Sequence, residues 1–331
     1  MTPIVASAPG KVLLSGEYAV LDGAPAISAA VNRRAIVTIE NIDSNWHIVN
    51  APGHTETEGR FRQASDGLQW CSGGEMYSLL EHVWLASKVM PETMLSLELD
   101  TRSFRDPNSG AKIGVGSSAA LSVALATALC TLPSGDGDVA GVAEIGHRAF
   151  QQGLGSGVDV VCSLVGGVIE YRRDERLYEP VAWPDGLYYK LLWSGVAADT
   201  QAQLDHLQQA DDRPSRSALG DAATKIARIW RDGSAQRIVD EFEIYIDALR
   251  RFSVDHGLGI FDAGHADLAE MAATQGLVYK PCGAGGGDIG IVLSVDEAAL
   301  ASFVSSPAAA GFTELDVIID PNGAQLVGAR Q

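Results

Sequence analysis

Lys112-Ile113-Gly114-Val115-Gly116-Ser117-Ser118-Ala119-Ala120 is a glycine-rich loop running straight into an apolar helix, and no other stretch constrains this chain as tightly. Gly114 and Gly116 admit backbone angles closed to other residues, Ser117 and Ser118 are good helix caps, and residues 119–132 are almost all helix formers. Such a loop aims backbone N–H groups at one point, where a helix N-terminus adds roughly half a positive charge. The stretch suits phosphate oxygens, although an ordinary loop and cap would use the same residues.

The chain has 331 residues, enough for one large or two ordinary domains with a real core. Hydrophobic residues at 46% and charged residues at 20% argue for a globular protein, and no apolar run approaches the roughly 20 residues of a membrane span. The first residues carry no basic region followed by an apolar core, so a cytoplasmic protein is expected. A formal net charge of −18 argues against nucleic acid and anionic membranes as partners. It leaves room for a small anionic substrate held by lysines focused in a cleft, and Lys11, Lys112 and Lys280 stand near glycine-rich segments. Cys71, Cys130, Cys162 and Cys282 show no C-x-x-C spacing and read as thiols of a reducing compartment.

Residues 3–40 read as a meander of strands that 46–49 continues, and 51–72 as polar loop. From Gly74, the spacing of Met76, Leu79, Leu80, Val83, Ala86 and Met90 predicts a helix; Leu95, Leu97 and Leu99 then alternate as a strand. Residues 138–152 predict another helix, followed by glycines 153, 155 and 157 and by strands at 168–171 and 188–193. Helices are expected at 199–209, 216–231, 235–252 and 266–274. The close reads as a strand at 277–280, a glycine loop, a strand at 289–294, a helix from Val295 and a strand at 315–319. The change of character near residue 185 divides the chain into domains at 1–185 and 186–331.

Three glycine-rich segments need one explanation: Ala8-Pro9-Gly10-Lys11 with Ser15-Gly16-Glu17, the 112–120 stretch, and Lys280-Pro281-Cys282-Gly283-Ala284-Gly285-Gly286-Gly287-Asp288. The last places four glycines in five residues between two strands, so that backbone or a ligand can approach closely, unless it is merely a tight hairpin. Gly114 to Ala119 formally fits the G-x-G-x-x-A of a dinucleotide site, with Asp136 and Asp138 about twenty residues on. An NAD(P)-dependent oxidoreductase would need that acidic residue at the end of a second strand, and 131–137 is turn chemistry instead. The Walker pattern G-x-x-x-x-G-K-[ST] is absent.

Together these segments resemble the GHMP kinases, the family of galactokinase and of homoserine, mevalonate and phosphomevalonate kinases. The resemblance spans nearly the whole chain. It rests on Ala-Pro-Gly-Lys with Gly-Glu-Tyr-Ala-Val-Leu at 8–21, Gly-Val-Gly-Ser-Ser-Ala-Ala at 114–120, Gly-Ser-Gly-Val-Asp-Val at 155–160 and Gly-Ala-Gly-Gly-Gly-Asp at 283–288. Glu17-Tyr18 and Gly287-Asp288 are similar to the phosphomevalonate branch, with the mevalonate branch second. A nucleotide-binding regulator without catalysis would be expected to lack Lys11 or Asp159, and both are present.

The resemblance implies an α+β fold with a mixed-sheet N-terminal domain and a helix-rich C-terminal α/β domain, in a monomer or homodimer. It implies ATP as phosphoryl donor with Mg²⁺. Lys112, Gly114, Val115, Gly116, Ser117, Ser118 and Ala119 would wrap the triphosphate, with Ser118 at the metal. Lys11 would neutralise charge developing between donor and acceptor, and Asp159 matches the family's catalytic aspartate. Glu17, Tyr18, Ser156, Gly157 and the loop of Gly283, Ala284, Gly285 and Gly286 would contact a small anionic acceptor, phosphomevalonate or mevalonate. One departure stands out: Arg148 occupies the place, eleven residues before the aspartate, where mevalonate kinases carry a metal-binding glutamate. Either phosphate oxygens and water complete the metal shell with Ser118 and Asp159, or Glu144 substitutes, leaving Arg148 to face an anion or solvent. His147 and His256 have no partner at metal spacing and read as ordinary polar positions. Trp193 and Trp230 read as packing residues, and Arg33-Arg34 and Arg172-Arg173 as strand-end charges.

Overall fold

The computed structural model describes residues 2–65, 67–135, 137–198, 200–209, 213–306, 309 and 311–327. Chain order begins with β1 (Ile4–Ser15), β2 (Ala26–Ile42), β3 (His47–Ala51), β4 (Thr55–Ala64), β5 (Gly67–Ser72), α1 (Ser78–Ser87), β6 (Met94–Asp100) and α2 (Ser117–Cys130). It continues through α3 (Val139–Phe150), α4 (Val158–Val165), β7 (Val168–Arg172), β8 (Leu177–Val181), β9 (Tyr188–Trp193), α5 (Thr200–Gln209), α6 (Pro214–Asp232) and α7 (Ala235–His256). Last come α8 (His265–Thr274), β10 (Val278–Pro281), β11 (Ile289–Ser294), α9 (Glu297–Val304), β12 (Thr313–Leu315) and β13 (Gln325–Val327).

One sheet runs β13-β1-β2-β6-β3-β4-β5, with β7 on β2 and β8 on β7; a second runs β10-β11-β9-β12. β2 is long enough to serve two neighbours, pairing through Ile36–Ile42 with β6 and through Ala26–Ala29 with β7. α2 carries apolar residues on every side, and a helix of that kind has to be enclosed. It is buried from Ala119 to Leu129 except at Leu121 and packs against β1, β2, α1, α3 and α4. Its alanines let those neighbours come close, so the loop at its N-terminus is fixed by the core itself. On the other flank, Arg231 of α6 reaches the buried Glu170 of β7 at 2.7 Å and ties the helical layer to the sheet.

The element pattern mostly follows the sequence; α4 and β13 are not expected from it, and four further places differ. Residues 51–72 form the hairpin of β4 and β5 rather than loop, with Phe61 buried between exposed arginines 60 and 62. β8, exposed along nearly its whole length, has no apolar stripe to announce it. The final strand of the second sheet is Thr313–Leu315 because the Val317 N–H bonds back to the Leu315 carbonyl, which turns the chain away; Ile319 then bridges to Val31. The N-cap of α2 is Gly116 in the left-handed region, so Ser117 and Ser118 are its first helical residues and cap nothing. Residue 199, at the start of the predicted 199–209 helix, lies outside the described residues, as does Asp136. No strand separates α2 from α3 among the described residues, which removes the dinucleotide arrangement.

Candidate active site

The 112–118 loop is held from below. The Lys11 N–H donates to the Val115 carbonyl at 2.8 Å, and the Lys11 stem lies alongside Gly116, where any Cβ would press on it. Gly114 has φ +89° and faces Asp288 so closely that an added Cβ would fall inside that side chain. Glycine at these places is thus required by two neighbours as well as by the backbone. Because Gly116 caps α2 without a side chain, the first-turn N–H groups of Ser117 and Ser118 have no side-chain acceptor and face the cavity mouth.

That mouth opens on a cavity of about 300 Å³. Lys11, Glu17, Tyr18, Lys112, Gly114, Val115, Gly116, Ser117, Ser118, Ser156, Gly157, Asp159, Gly283 and Ala284 all line it. The three glycine-rich segments, spread over more than 250 residues of sequence, therefore meet around one space. Three expected residues stand elsewhere. Ala119 is buried in the core as part of α2, Gly285 packs on Ile260, and Gly286 lines a separate surface hollow beside Gln203.

Lys11 Nζ lies 3.0 Å from Asp159 Oδ1. Asp159 stands in the first turn of α4, whose N-cap is Gly157 in the left-handed region. Burial works against the Lys11 ammonium, but the Asp159 carboxylate beside it outweighs that and raises its pKa above the ordinary lysine value. A cation is thereby held, fully charged at neutral pH, in the cavity that the N-terminus of α2 also lines. Asp288, in the left-handed region at φ 55°, accepts from the Ala198 N–H at 3.2 Å; burial raises its pKa, while that hydrogen bond and the charges of Lys11 and Lys112 oppose the rise.

His147 is the residue that sequence reasoning set aside. It is buried on α3, its Nε2 lies 3.2 Å from Ser118 Oγ, and burial lowers its pKa, so the ring is neutral at pH 7. Arg148, one residue on, turns to a neighbouring cavity of about 350 Å³ that Arg173 and Arg176 also line. Glu144 lines that second cavity too and lies 3.8 Å from Arg176. Helix phase thus brings His147, and neither Arg148 nor Glu144, against Ser118. Of the remaining arginines, Arg34 is engaged by Asp320 at 2.6 Å and Arg172 by Glu170 at 3.0 Å. Trp193 and Trp230 are buried in the core.

Glu17, expected at the acceptor, spends its carboxylate inside the protein: Oε1 takes Lys280 Nζ and Oε2 accepts from the Tyr245 hydroxyl at 2.5 Å. Tyr18, next in sequence, has its hydroxyl within reach of the Gln203 side-chain oxygen and, at 2.6 Å, of the Ala284 carbonyl. A further cavity of about 230 Å³, apolar on the side of Leu80, Leu99 and Leu121, shares Phe104, Lys112, Ser117 and Ser118 with the main one. No helix among the described residues is long and apolar enough to cross a membrane.

A glycine-rich loop at the head of a buried helix, a lysine–aspartate pair and part of a glycine hairpin thus line one cavity, an arrangement suited to small-molecule phosphoryl transfer. Residues 96–167 match the family model described as GHMP kinases N terminal domain. The chain has the two-domain GHMP kinase fold, and its homologues are GHMP-type kinases, phosphotransferases. Among its relatives, phosphomevalonate kinase of Streptomyces sp. (strain CL190) is 29% identical, over 89% of this chain and 91% of the relative. Mevalonate kinase of Pyrococcus horikoshii is 27% identical over 86% of each. Streptococcus pneumoniae phosphomevalonate kinase, solved in complex with phosphomevalonate and AMPPNP, superposes with a TM-score of 0.76 at 19% identity, covering 95% of this chain and 99% of that one.

Proposed function

We propose that this chain transfers the γ-phosphoryl group of ATP to 5-phosphomevalonate, with residues 1–185 supplying the nucleotide site and 186–331 the closing glycine loop. The observation that carries the reading is the Lys11–Asp159 pair at 3.0 Å, facing the N-terminus of α2 across one cavity. Phosphoryl transfer is mainly positioning and charge stabilisation, which a fixed cation and aimed N–H groups supply. Gly114 to Ser118 wrap the triphosphate, and the apolar cavity beside Leu99 and Leu121 suits the base.

Among the described residues, no group of three or more His, Cys, Asp or Glu side chains could hold a metal ion unaided. That donor set fits Mg²⁺, which keeps waters and phosphate oxygens and needs only one or two protein ligands. Ser118 Oγ and the second oxygen of Asp159 would hold it, and when bound it neutralises charge on the transferred phosphate. The chain's own part is to keep Lys11 charged and the acceptor in line.

A phosphomonoester has a second pKa near ~6 and is mostly ionised at pH 7, so Asp159 has no proton to remove and acts by orienting Lys11. The cavity of Arg148, Arg173 and Arg176 adjoins the main one at Ser156 and Gly157. Its three arginines outnumber the acids that line it with them, Glu144 and Asp174, and in a chain of net charge −18 that local excess favours an acceptor with an anionic group at its far end. The second reading is mevalonate, for which Asp159 would serve as base, and the Pyrococcus relative supports it. An ADP-release assay with mevalonate, 5-phosphomevalonate, homoserine and galactose tests the choice. Turnover of mevalonate but not of its phosphate would overturn it.

A further inference from the structure

Glu17 and Lys280 form an ion pair with 0% and 1% of their side chains exposed. The Tyr245 hydroxyl completes the cluster. It donates to Glu17 Oε2 and accepts from the N–H groups of Gly16 at 2.8 Å and Glu17 at 3.2 Å, so every valence of that oxygen is used. The three side chains come from the turn after β1, from the middle of α7 and from β10. The cluster therefore joins segments 228 and 263 residues apart at the edge of the main cavity.

Stability alone is a poor reason to keep such a cluster. Apolar side chains of similar volume can replace a buried ion pair without loss of stability, because desolvation cancels much of its attraction. Its position gives a better one. Tyr18 follows Glu17 at φ 59°, a conformation that a bulky aromatic residue holds only when its surroundings enforce it. One end of Tyr18 is fixed by the backbone that Tyr245 grips, and the other by the Ala284 carbonyl. Lys280 lies on the strand that leads into residues 283–287. Both halves of the wall opposite the phosphate loop thus hang from one buried cluster.

We propose that Glu17, Tyr245 and Lys280 are positioning residues that fix Tyr18 and the 283–287 loop, whose Gly283 and Ala284 form with Tyr18 the acceptor-side wall of the site. This rests on the reading of that wall as the acceptor's, and touches neither the phosphate loop nor the Lys11–Asp159 pair. Tyr245→Phe removes one oxygen and leaves the ring in place. The expected result is an acceptor KM raised roughly ten- to a hundredfold with lower kcat, while the AMPPNP Kd stays within about threefold of wild type. Amide hydrogen exchange should quicken at 16–21 and 283–287 and stay unchanged at 112–119, a readout independent of which acceptor is used. Glu17→Gln with Lys280→Met, which removes both charges together, should behave in the same way.

Wild-type exchange at 16–21 in a folded variant overturns the inference. So does nucleotide affinity falling in step with acceptor affinity, or failure of both variants to fold, since either outcome makes the cluster a general support. A wild-type enzyme that turns over none of the four acceptors would count against the proposed function, while the exchange pattern would still decide the role of the cluster.

Discussion

Asp159→Asn separates charge from shape at the Lys11 pair. Two unit charges 3.0 Å apart attract by about 5 kcal/mol at an effective dielectric of 20. Asp159 is 29% exposed, so water takes over part of that when the carboxylate is lost. About 3 to 4 kcal/mol of transition-state stabilisation remains at stake, which is on the order of a hundred- to a thousandfold in kcat. The Kd for AMPPNP should change less than about threefold if Lys11 opposes the reacting phosphoryl group rather than the base, as proposed. The pH profile gives the sharper test. In the wild type the raised Lys11 pKa keeps the pair's contribution complete below the ordinary value of 10.5, and it is lost only as pH rises through the folded value. In the variant burial loses its main opponent, so the Lys11 pKa falls and the alkaline limb of kcat should move to lower pH. Steady-state kinetics from pH 6 to 10 with calorimetric nucleotide binding would measure both. An unchanged kcat, or an alkaline limb that stays in place, refutes the argument.

Gly114→Ala combines a positive φ with overlap on Asp288 and should cost about 2 to 4 kcal/mol in chemical denaturation; adding Asp288→Gly should recover part of it, and no recovery would show that backbone strain alone is responsible. His147→Leu removes the partner of the Ser118 hydroxyl and should weaken Mg²⁺-AMPPNP binding about tenfold in calorimetry, with an unchanged Kd counting against its place beside the metal. His47 is buried, accepts the Leu95 N–H at Nδ1, and burial lowers its pKa to about 4. The unfolded chain binds its proton first, so stability from this group is present above the ordinary value of 6.5 and is lost as pH falls toward 4. His47→Gln should flatten the dependence of Tm on pH in that window; an equally steep slope would assign the acid loss to other groups.

The glycine-rich walls of the candidate site are legible in the sequence because backbone can approach a ligand closely only where glycines permit it. Lys11, Asp159 and the 112–118 loop could be picked out one at a time, although nothing in the sequence gives the 3.0 Å between the first two. His147 escaped notice because its role depends on the phase of α3 against α2, and the neighbouring Arg148 occupied the more conspicuous position. Glu17 was read as an acceptor contact since its partners, Tyr245 and Lys280, are brought to it only by the tertiary fold. The β4–β5 hairpin read as loop because only Phe61 and Gly59 of β4 are buried, too few to set up an alternation.

β13 adds Gln325–Val327 to the edge of β1 at Ser7–Val5, so the large sheet gains its outermost strand from residues made some 320 positions later. During synthesis β1 pairs early with β2 on one side and keeps a bare edge on the other until residue 327 has emerged. An unpaired edge of that kind is a template for other chains, and contacts of such long sequence separation form slowly. The nascent chain therefore carries this uncovered edge on the ribosome until residue 327 has emerged. Deleting 325–327 would leave that edge bare in the finished protein and turn a passing hazard of birth into a lasting tendency to associate.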